Sequence, residues 1–470
     1  MIEPTDTAVA ELRFRLAGGL HEPGDPAYEE TCTLYNSMIE RRPRWVAKCA
    51  APDDVVAALA FAREHELDVA VRAGGHSVGG MSLSDGGLVI DLRLMNEVHV
   101  DPERRVARVG GGAIGAELDR ATTAHGLATT GGRVSTTGVA GLTLGGGTGW
   151  LERKHGFACD NLIAAELVTA DGELVRASEG ENRELLWALR GGGGNFGVVT
   201  TFEFRLHPIE SEVLAGLVIH PFERGRELLR FFRDYMRTAP EEVSVAFAYF
   251  TAPDEPEIPA ELRGKPAALL AGMYAGPVAE GEEALRAVRE FGPPAADFFE
   301  PMGYADFQCS LDDPPGYRNY WTAEHLADLT DEAIEAIAAR SEQMPAGASQ
   351  IFIPAWGGAV IRGTDEDSPL GSIRDAAFVV HPLLLWEDPA DDEAMFALGR
   401  GYREDLREHA TGAVYLNFIG DEGGERVRAG YGDSHERLAR IKAEWDPGNV
   451  FNSNQNVRPA VAARRALTYG

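Results

Sequence analysis

Lysine is scarce in this 470-residue chain. Only Lys48, Lys154, Lys265 and Lys442 occur, which leaves few candidates for a lysine base or Schiff-base nucleophile. Cysteine is equally thin: Cys32, Cys49, Cys159 and Cys309 stand far apart, without the paired spacing of a zinc site or disulfide framework. They read as buried thiols, and no metal centre is expected. No segment approaches the ~18 apolar residues a membrane helix requires, and the opening MIEPTDTAVAEL lacks the basic and apolar regions of a signal peptide. The expected location is the cytoplasm, with no membrane partner. Positive charge is in deficit, 44 Lys and Arg against 74 Asp and Glu, and the resulting formal charge of -30 repels nucleic acid and anionic lipid.

The chain is long enough for two or more domains with separate cores. After Pro52, residues 53 to 65 place Val55, Val56, Leu59 and Ala60 on one helical face. Short apolar strands follow at 67 to 71, 87 to 92 and 104 to 109, then a helix from about Ile114 to His125, a hairpin turning at Asp171-Gly172, and a helix over 181 to 190. Past Pro208 glycine loops thin out. Alternating runs at 213 to 219 and 243 to 250 predict antiparallel strands, with helices at about 223 to 237, 280 to 291, 330 to 343 and 390 to 409. Acidic, proline-bearing stretches at 251 to 262 and 362 to 371 read as exposed loops.

The chemistry-bearing sequence is glycine-rich. VRAGGHSVGG (71 to 80) sets His76 in a turn after an apolar strand, where consecutive amides can face a phosphate and an imidazole nitrogen can be alkylated by the methyl carbon of a flavin. On spacing alone, a histidine in a glycine turn is more often structural. Residues 110 to 115, GGGAIG, fit a dinucleotide fingerprint, but the acidic residue required ~20 positions later is missing. GGGGNFG (191 to 197) has its helix and strand in the reverse order. Both are assigned to close packing rather than to nicotinamide binding. Between them, six glycines crowd into the twelve positions 138 to 149 among Val139, Leu142 and Leu144, too apolar for a linker and open enough for a planar ligand.

Taken together, RAGGHS (72 to 77), GVAGLTLGGGTGW (138 to 150), LLWALRGGGGNFGVVTTFEFRLHP (185 to 208), YLNF (415 to 418) and YGDSHERLARIKAEWDPGNVFNSNQNVRP (431 to 459) resemble the berberine-bridge-enzyme-like flavoproteins of the vanillyl-alcohol-oxidase superfamily, in order and over nearly the whole chain. The resemblance implies an α+β fold of two domains. Residues 1–208 and the returning segment 412–470 would form the FAD domain. Residues 209–411 would form an inserted substrate domain, its antiparallel sheet covered by helices on one side and roofing the isoalloxazine on the other.

The resemblance also implies a cofactor, FAD, linked through its 8α carbon to His76. Relatives with a second link carry cysteine in G-x-C-P-x-V-G. Here Gly132-Arg133-Val134-Ser135-Thr136-Thr137-Gly138 puts Val134 at that position, so a single link is expected. Motif matching places FAD contacts at Arg72, Gly74, Gly75, His76, Ser77, Gly79 and Gly80 in the first loop. Gly138, Gly141, Gly145, Gly146 and Gly149 follow in the second, with Asn195, Gly197, Val198, Asn454 and Asn456 beyond it. Tyr415 and Asn417, two apart in an apparent strand, share one face and are the expected catalytic pair, Tyr415 relaying the substrate proton and Asn417 orienting substrate or flavin. Expected partners are a small alcohol or amine and dioxygen, the latter reduced to hydrogen peroxide near Thr137. A flavin dehydrogenase with another acceptor, or a catalytically silent flavin-binding protein, fits the same motifs. Tyr304, Phe307, residues 317 to 321 and Trp356 are candidates for an aromatic pocket, and His381 and Arg374 for polar contacts.

Overall fold

The computed structural model describes residues 3–312 and 315–461. Among them, strands form sheets of four, five, two and nine members. In the first, Trp45–Lys48, Leu88–Asp91 and Val69–Arg72 run parallel, and Leu20–His21 pairs antiparallel on the edge. The helix Pro52–Glu64 covers this sheet. Pro52 presets its first turn, Asp53 and Asp54 complement the dipole there, and Val55, Ala58, Leu59 and Ala62 are buried against the strands. Since Val69–Arg72 ends where the His76 loop begins, parallel pairing delivers that loop to the carboxyl edge of the sheet, where α/β folds place ligands.

A five-stranded antiparallel sheet follows, ordered Val98–Asp101, Val106–Gly110, Val198–Arg205, Leu162–Val168 and Leu174–Ser178. The last two form the expected hairpin, with Gly172 at φ 83° in its turn. GGGAIG serves close packing: a Cβ on Gly110, Gly111 or Gly112 would fall within 2.4 Å of the carbonyl oxygens of Met95, Val199 or Leu92. The core over this sheet mixes Leu185, Leu186, Phe202 and Phe204 with Val414, Val427, Leu438, Ile441 and Val457 from the far end of the sequence. Lys442, on the helix Ser434–Trp445, fastens the junction. Its buried Nζ donates to Asn195 O (2.7 Å), Phe451 O (2.9 Å) and Asp446 Oδ2 (2.5 Å).

The nine-stranded sheet is antiparallel, with Val213–Pro221, Pro266–Tyr274, Val243–Thr251, Gln350–Pro354 and Phe378–Trp386 in its middle. Its two-residue period separates two packed faces. Val243, Val245, Phe247 and Tyr249 point into a core built with the helices Gly225–Met236, Val278–Glu290, Asp331–Ser341 and Asp392–Asp405. Ala246 and Ala248 on the same strand, with Leu269 and Ala271 on its neighbour, point the other way. Short alanine side chains leave room on that face.

One local expectation is corrected, and one element is added: within GVAGLTL, Val139–Leu144 is a short helix that the surrounding glycines hide in the sequence. Residues 415 to 418 are not a strand. Tyr415 is extended, and Leu416–Phe418 forms a 3-10 turn.

Candidate active site

Between the glycine loops, the C-terminal segment and the alanine-bearing sheet face lies a cavity of ≈ 1100 Å³. That exceeds the ~300–1,000 Å³ of ordinary ligand pockets and suits a dinucleotide-sized group with a small molecule beside it. Gly74, Gly75, His76 and Ser77 line it, as do Gly138, Gly141, Gly145, Gly197, Val198, Tyr415, Asn417 and Asn454. The two loops touch backbone to backbone, since a Cβ on Gly74 would sit 2.3 Å from Gly138 N and one on Gly138 would sit 2.4 Å from Gly74 N. A Cβ on Gly141 would meet nothing within 4 Å. The floor therefore fits a flat ligand such as a flavin: closed behind by glycine contacts, open in front at Gly141.

Seven expected contacts lie outside the cavity lining and support it instead. Arg72 is buried and donates to Thr31 O, and burial lowers its pKa to about 10. Gly79 faces Asp421 and Gly420, Gly80 faces Ile39, Gly146 faces Leu370 and the Tyr415 ring, and Gly149 faces Gly131 O. Asn195 donates to Gly192 O (2.8 Å) and Gln455 O (3.2 Å) and accepts from Val457 N (2.9 Å), joining the glycine loop to the C-terminal segment. Asn456 is partly buried, with an unpartnered Oδ1.

His76 lies flat against Tyr35, ring centroids 4.5 Å apart, with Nε2 3.0 Å from Thr136 Oγ1. Burial lowers its pKa to about 4, against the opposing pull of the Asp312 carboxylate, so the imidazole is neutral at physiological pH. Thr136 is held in turn by a long-range contact: Asp312 accepts from Ser135 N (2.5 Å) and Ser135 Oγ (2.6 Å). Sequence reading missed Asp312, and no local signal joins positions separated by 177. Val134 and Thr137 line the cavity, and among the described residues no cysteine does.

Tyr415 is fully buried, and its oxygen accepts from Gly147 N (2.7 Å) and Asn417 Nδ2 (3.1 Å). The pair thus meets despite the absence of a strand, because the 3-10 turn folds Asn417 back while Leu142 O fixes its amide at 3.0 Å. Burial raises the Tyr415 pKa, and the two donors only partly offset it. The phenol keeps its proton at neutral pH.

Above the floor, the roof carries the apolar Leu217, Ala248, Leu269, Ala271 and Phe352, with Gln350 on the same strand as Phe352 and the Arg133 guanidinium 5.4 Å from the Phe352 ring. An aromatic arc runs along one wall. From His76 it passes to Tyr35, to Trp321 (5.8 Å), to His381 (5.5 Å), to Phe418 (4.0 Å, stacked) and to Tyr415 (4.8 Å). Of the expected aromatic group only Trp321 lines the cavity; Tyr304, Phe307 and Trp356 are core residues. His381 lines it as well. Arg374 does not, and pairs with Asp160 at 2.5 Å.

Residues 43–178 match the family model described as FAD binding domain, and residues 414–458 match berberine and berberine like. The chain is 30% identical over 463 residues to (R)-6-hydroxynicotine oxidase of Paenarthrobacter nicotinovorans, covering 94% of this chain and 97% of that protein. An FAD-linked oxidoreductase of Dictyostelium discoideum is 30% identical over 457 residues, covering 96% and 97%. Crystalline 6-hydroxy-D-nicotine oxidase from Arthrobacter nicotinovorans superposes with a TM-score of 0.85 at 27% identity, over 95% of this chain and 98% of that one. The Physcomitrella patens BBE-like 1 structure, 22% identical over 97% of this chain and 100% of that one, shares the fold with a TM-score of 0.86.

Proposed function

Because the chain belongs to the berberine-bridge-enzyme-like FAD-linked oxidoreductases of the vanillyl-alcohol-oxidase fold, we propose that it is an oxidase of small alcohols or amines that carries FAD on His76 alone and yields hydrogen peroxide. When bound, FAD supplies the acceptor for two electrons from a substrate carbon and their outlet to dioxygen. The observation that carries this reading is the His76 environment: a neutral imidazole on the cavity wall at the head of the glycine loop, oriented by Tyr35 and Thr136. A neutral ring has the free lone pair that attack on a flavin methyl carbon requires. The valine at 134, and the absence of cysteine from the lining among the described residues, support a single link.

When FAD is bound, the loop of Gly74, Gly75, His76 and Ser77 would hold the pyrophosphate, Gly138, Gly141, Gly145, Gly194, Gly197 and Val198 would lie against the ring and ribityl chain, and Asn454 would close the C-terminal side. Residues 1–208 and 412–470 constitute the cofactor domain in this reading, and 209–411 the substrate domain. Asn417 orients substrate or cofactor. Tyr415 passes a proton only in concert with substrate oxidation, because burial holds the phenol protonated beforehand. The protein works in the cytoplasm.

A panel of benzylic alcohols, secondary alcohols and amines, added without oxygen and followed by bleaching of the flavin band, tests the reading. Admitting oxygen should restore the band with one peroxide per turnover. Bleaching without peroxide would assign a dehydrogenase, and no bleaching with any member would assign a silent flavin-binding protein.

A further inference from the structure

The aromatic wall of the cavity carries two neighbouring polar atoms that the scheme above leaves idle. His381 is 1% exposed, and its Nδ1 lies 2.9 Å from the carbonyl oxygen of Thr322. A carbonyl only accepts, so Nδ1 carries the ring hydrogen and Nε2 is left as a bare acceptor. That Nε2 is buried with no partner, on a residue that lines the cavity. Burial lowers the His381 pKa to about 4, which keeps the acceptor unprotonated. Its orientation is fixed on both sides, by face-to-face stacking on Phe418 at 4.0 Å and by the edge contact with Trp321 at 5.5 Å and 90°.

Trp321 supplies the complement. Its Nε1 is a donor, also buried, also without a partner, and it too lines the cavity. Adjacent rings thus present one acceptor and one donor beside the apolar Leu217, Ala248, Leu269, Ala271 and Phe352. Buried polar groups in folded proteins are almost always paired. A group that donates once and accepts once would satisfy both atoms.

We propose that His381 Nε2 and Trp321 Nε1 are a two-point recognition site for a hydroxyl group on an otherwise apolar, aryl-bearing substrate, the hydroxyl donating to the histidine and accepting from the tryptophan. The proposal rests on the oxidase reading for its location and extends it by naming the substrate class. An ether keeps the acceptor and loses the donor, so it pairs with Trp321 and leaves His381 unsatisfied.

Phenol and anisole, which have the same ring and differ in the O–H, test this by calorimetry on the oxidised, flavin-loaded protein. The wild type should bind phenol about ten-fold more tightly than anisole. His381→Phe, which retains a ring against Phe418, should abolish that preference. Trp321→Phe, which removes the N–H and retains a ring against Tyr35, should weaken both ligands to a similar extent. Equal binding of phenol and anisole by the wild type, binding of neither, or a preference that survives His381→Phe, would overturn the proposal. Phenol has no oxidisable carbinol, so this result is independent of turnover: preference without flavin bleaching by the alcohol panel would defeat the oxidase reading alone, and bleaching without preference would defeat the recognition site alone.

Discussion

The phenol oxygen of Tyr415 accepts a hydrogen bond from the backbone amide of Gly147 at 2.7 Å, across 268 residues of sequence. Gly147, at φ 91°, turns its amide inward in a conformation that a side chain would strain. The contact ties the glycine floor to the C-terminal segment. Tyr415→Phe leaves the Gly147 N–H and one Asn417 hydrogen without this acceptor, and should cost about 1–3 kcal/mol in urea unfolding. Because burial holds the phenol protonated, the pH profile of flavin reduction should show no inflection between pH 6 and 9 that Tyr415→Phe removes.

Gly141 separates the needs of the fold from those of the ligand. It lies within the helix Val139–Leu144, and its Cβ position is empty. Gly141→Ala should stabilise the flavin-free protein by about 0.5–1 kcal/mol through helix propensity, and yet reduce FAD retention, because the methyl enters the cavity. Gly138→Ala should instead destabilise the protein with or without flavin, since its Cβ collides with the Gly74 backbone. Thermal unfolding and bound-flavin absorbance distinguish the two variants.

The Lys442–Asp446 pair is fully buried, and Asp446 also accepts from Val450 N (2.8 Å) and Phe451 N (2.9 Å). Removing one partner leaves a buried charge, so Lys442→Met should cost about 3–5 kcal/mol in unfolding. The loss should loosen the Asn195 loop first, visible as early hydrogen exchange of residues 192 to 197.

Acid should destabilise the fold between about pH 6.5 and pH 4. His207, His220 and His381 have pKa values lowered to about 4, and His155 and His325 to about 3, burial being the main cause in each. In that window the unfolded chain binds protons that the folded chain does not, so stability falls as pH falls. Asp119, raised by burial to about 7, acts in the opposite direction and is outnumbered. A melting temperature that stays level from pH 7 to pH 4.5 would contradict this.

Much of the site was legible because glycine chemistry is local. The His76 loop and the 138 to 149 run announce themselves in consecutive residues, whereas GGGGNFG, read as close packing apart from Gly197, brings Gly193 and Gly194 to the cavity as well. Strand and helix periods in the second half were legible for the same reason, each being a repeat within one element. The support and the specificity were not. Asp312 reaches Ser135, and Arg374 reaches Asp160, only after the sheets are assembled. Trp321 and His381 meet because the strand Arg318–Trp321 pairs with Phe378–Trp386, a register that neither segment encodes alone. Arg72, Gly149 and Asn195 were placed on the ligand because motifs record neighbours in sequence, whereas their side chains or Cβ positions face protein.

Val134→Cys probes the second attachment position directly. In a His76→Ala background the new thiol, on the cavity wall, should restore covalent flavin that the single variant lacks. Mass spectrometry of the intact chain reads the outcome, and an unmodified mass would show that residue 134 cannot reach the cofactor.

The central claim, that FAD is carried by His76 alone, is tested most directly by denaturing the purified protein in acid, separating it on a gel and recording flavin fluorescence on the band for wild type and His76→Ala. Fluorescence on the wild-type band and none on the variant is the expected result. Fluorescence on both bands would put the link elsewhere, and fluorescence on neither would leave any bound FAD noncovalent; either would contradict the claim.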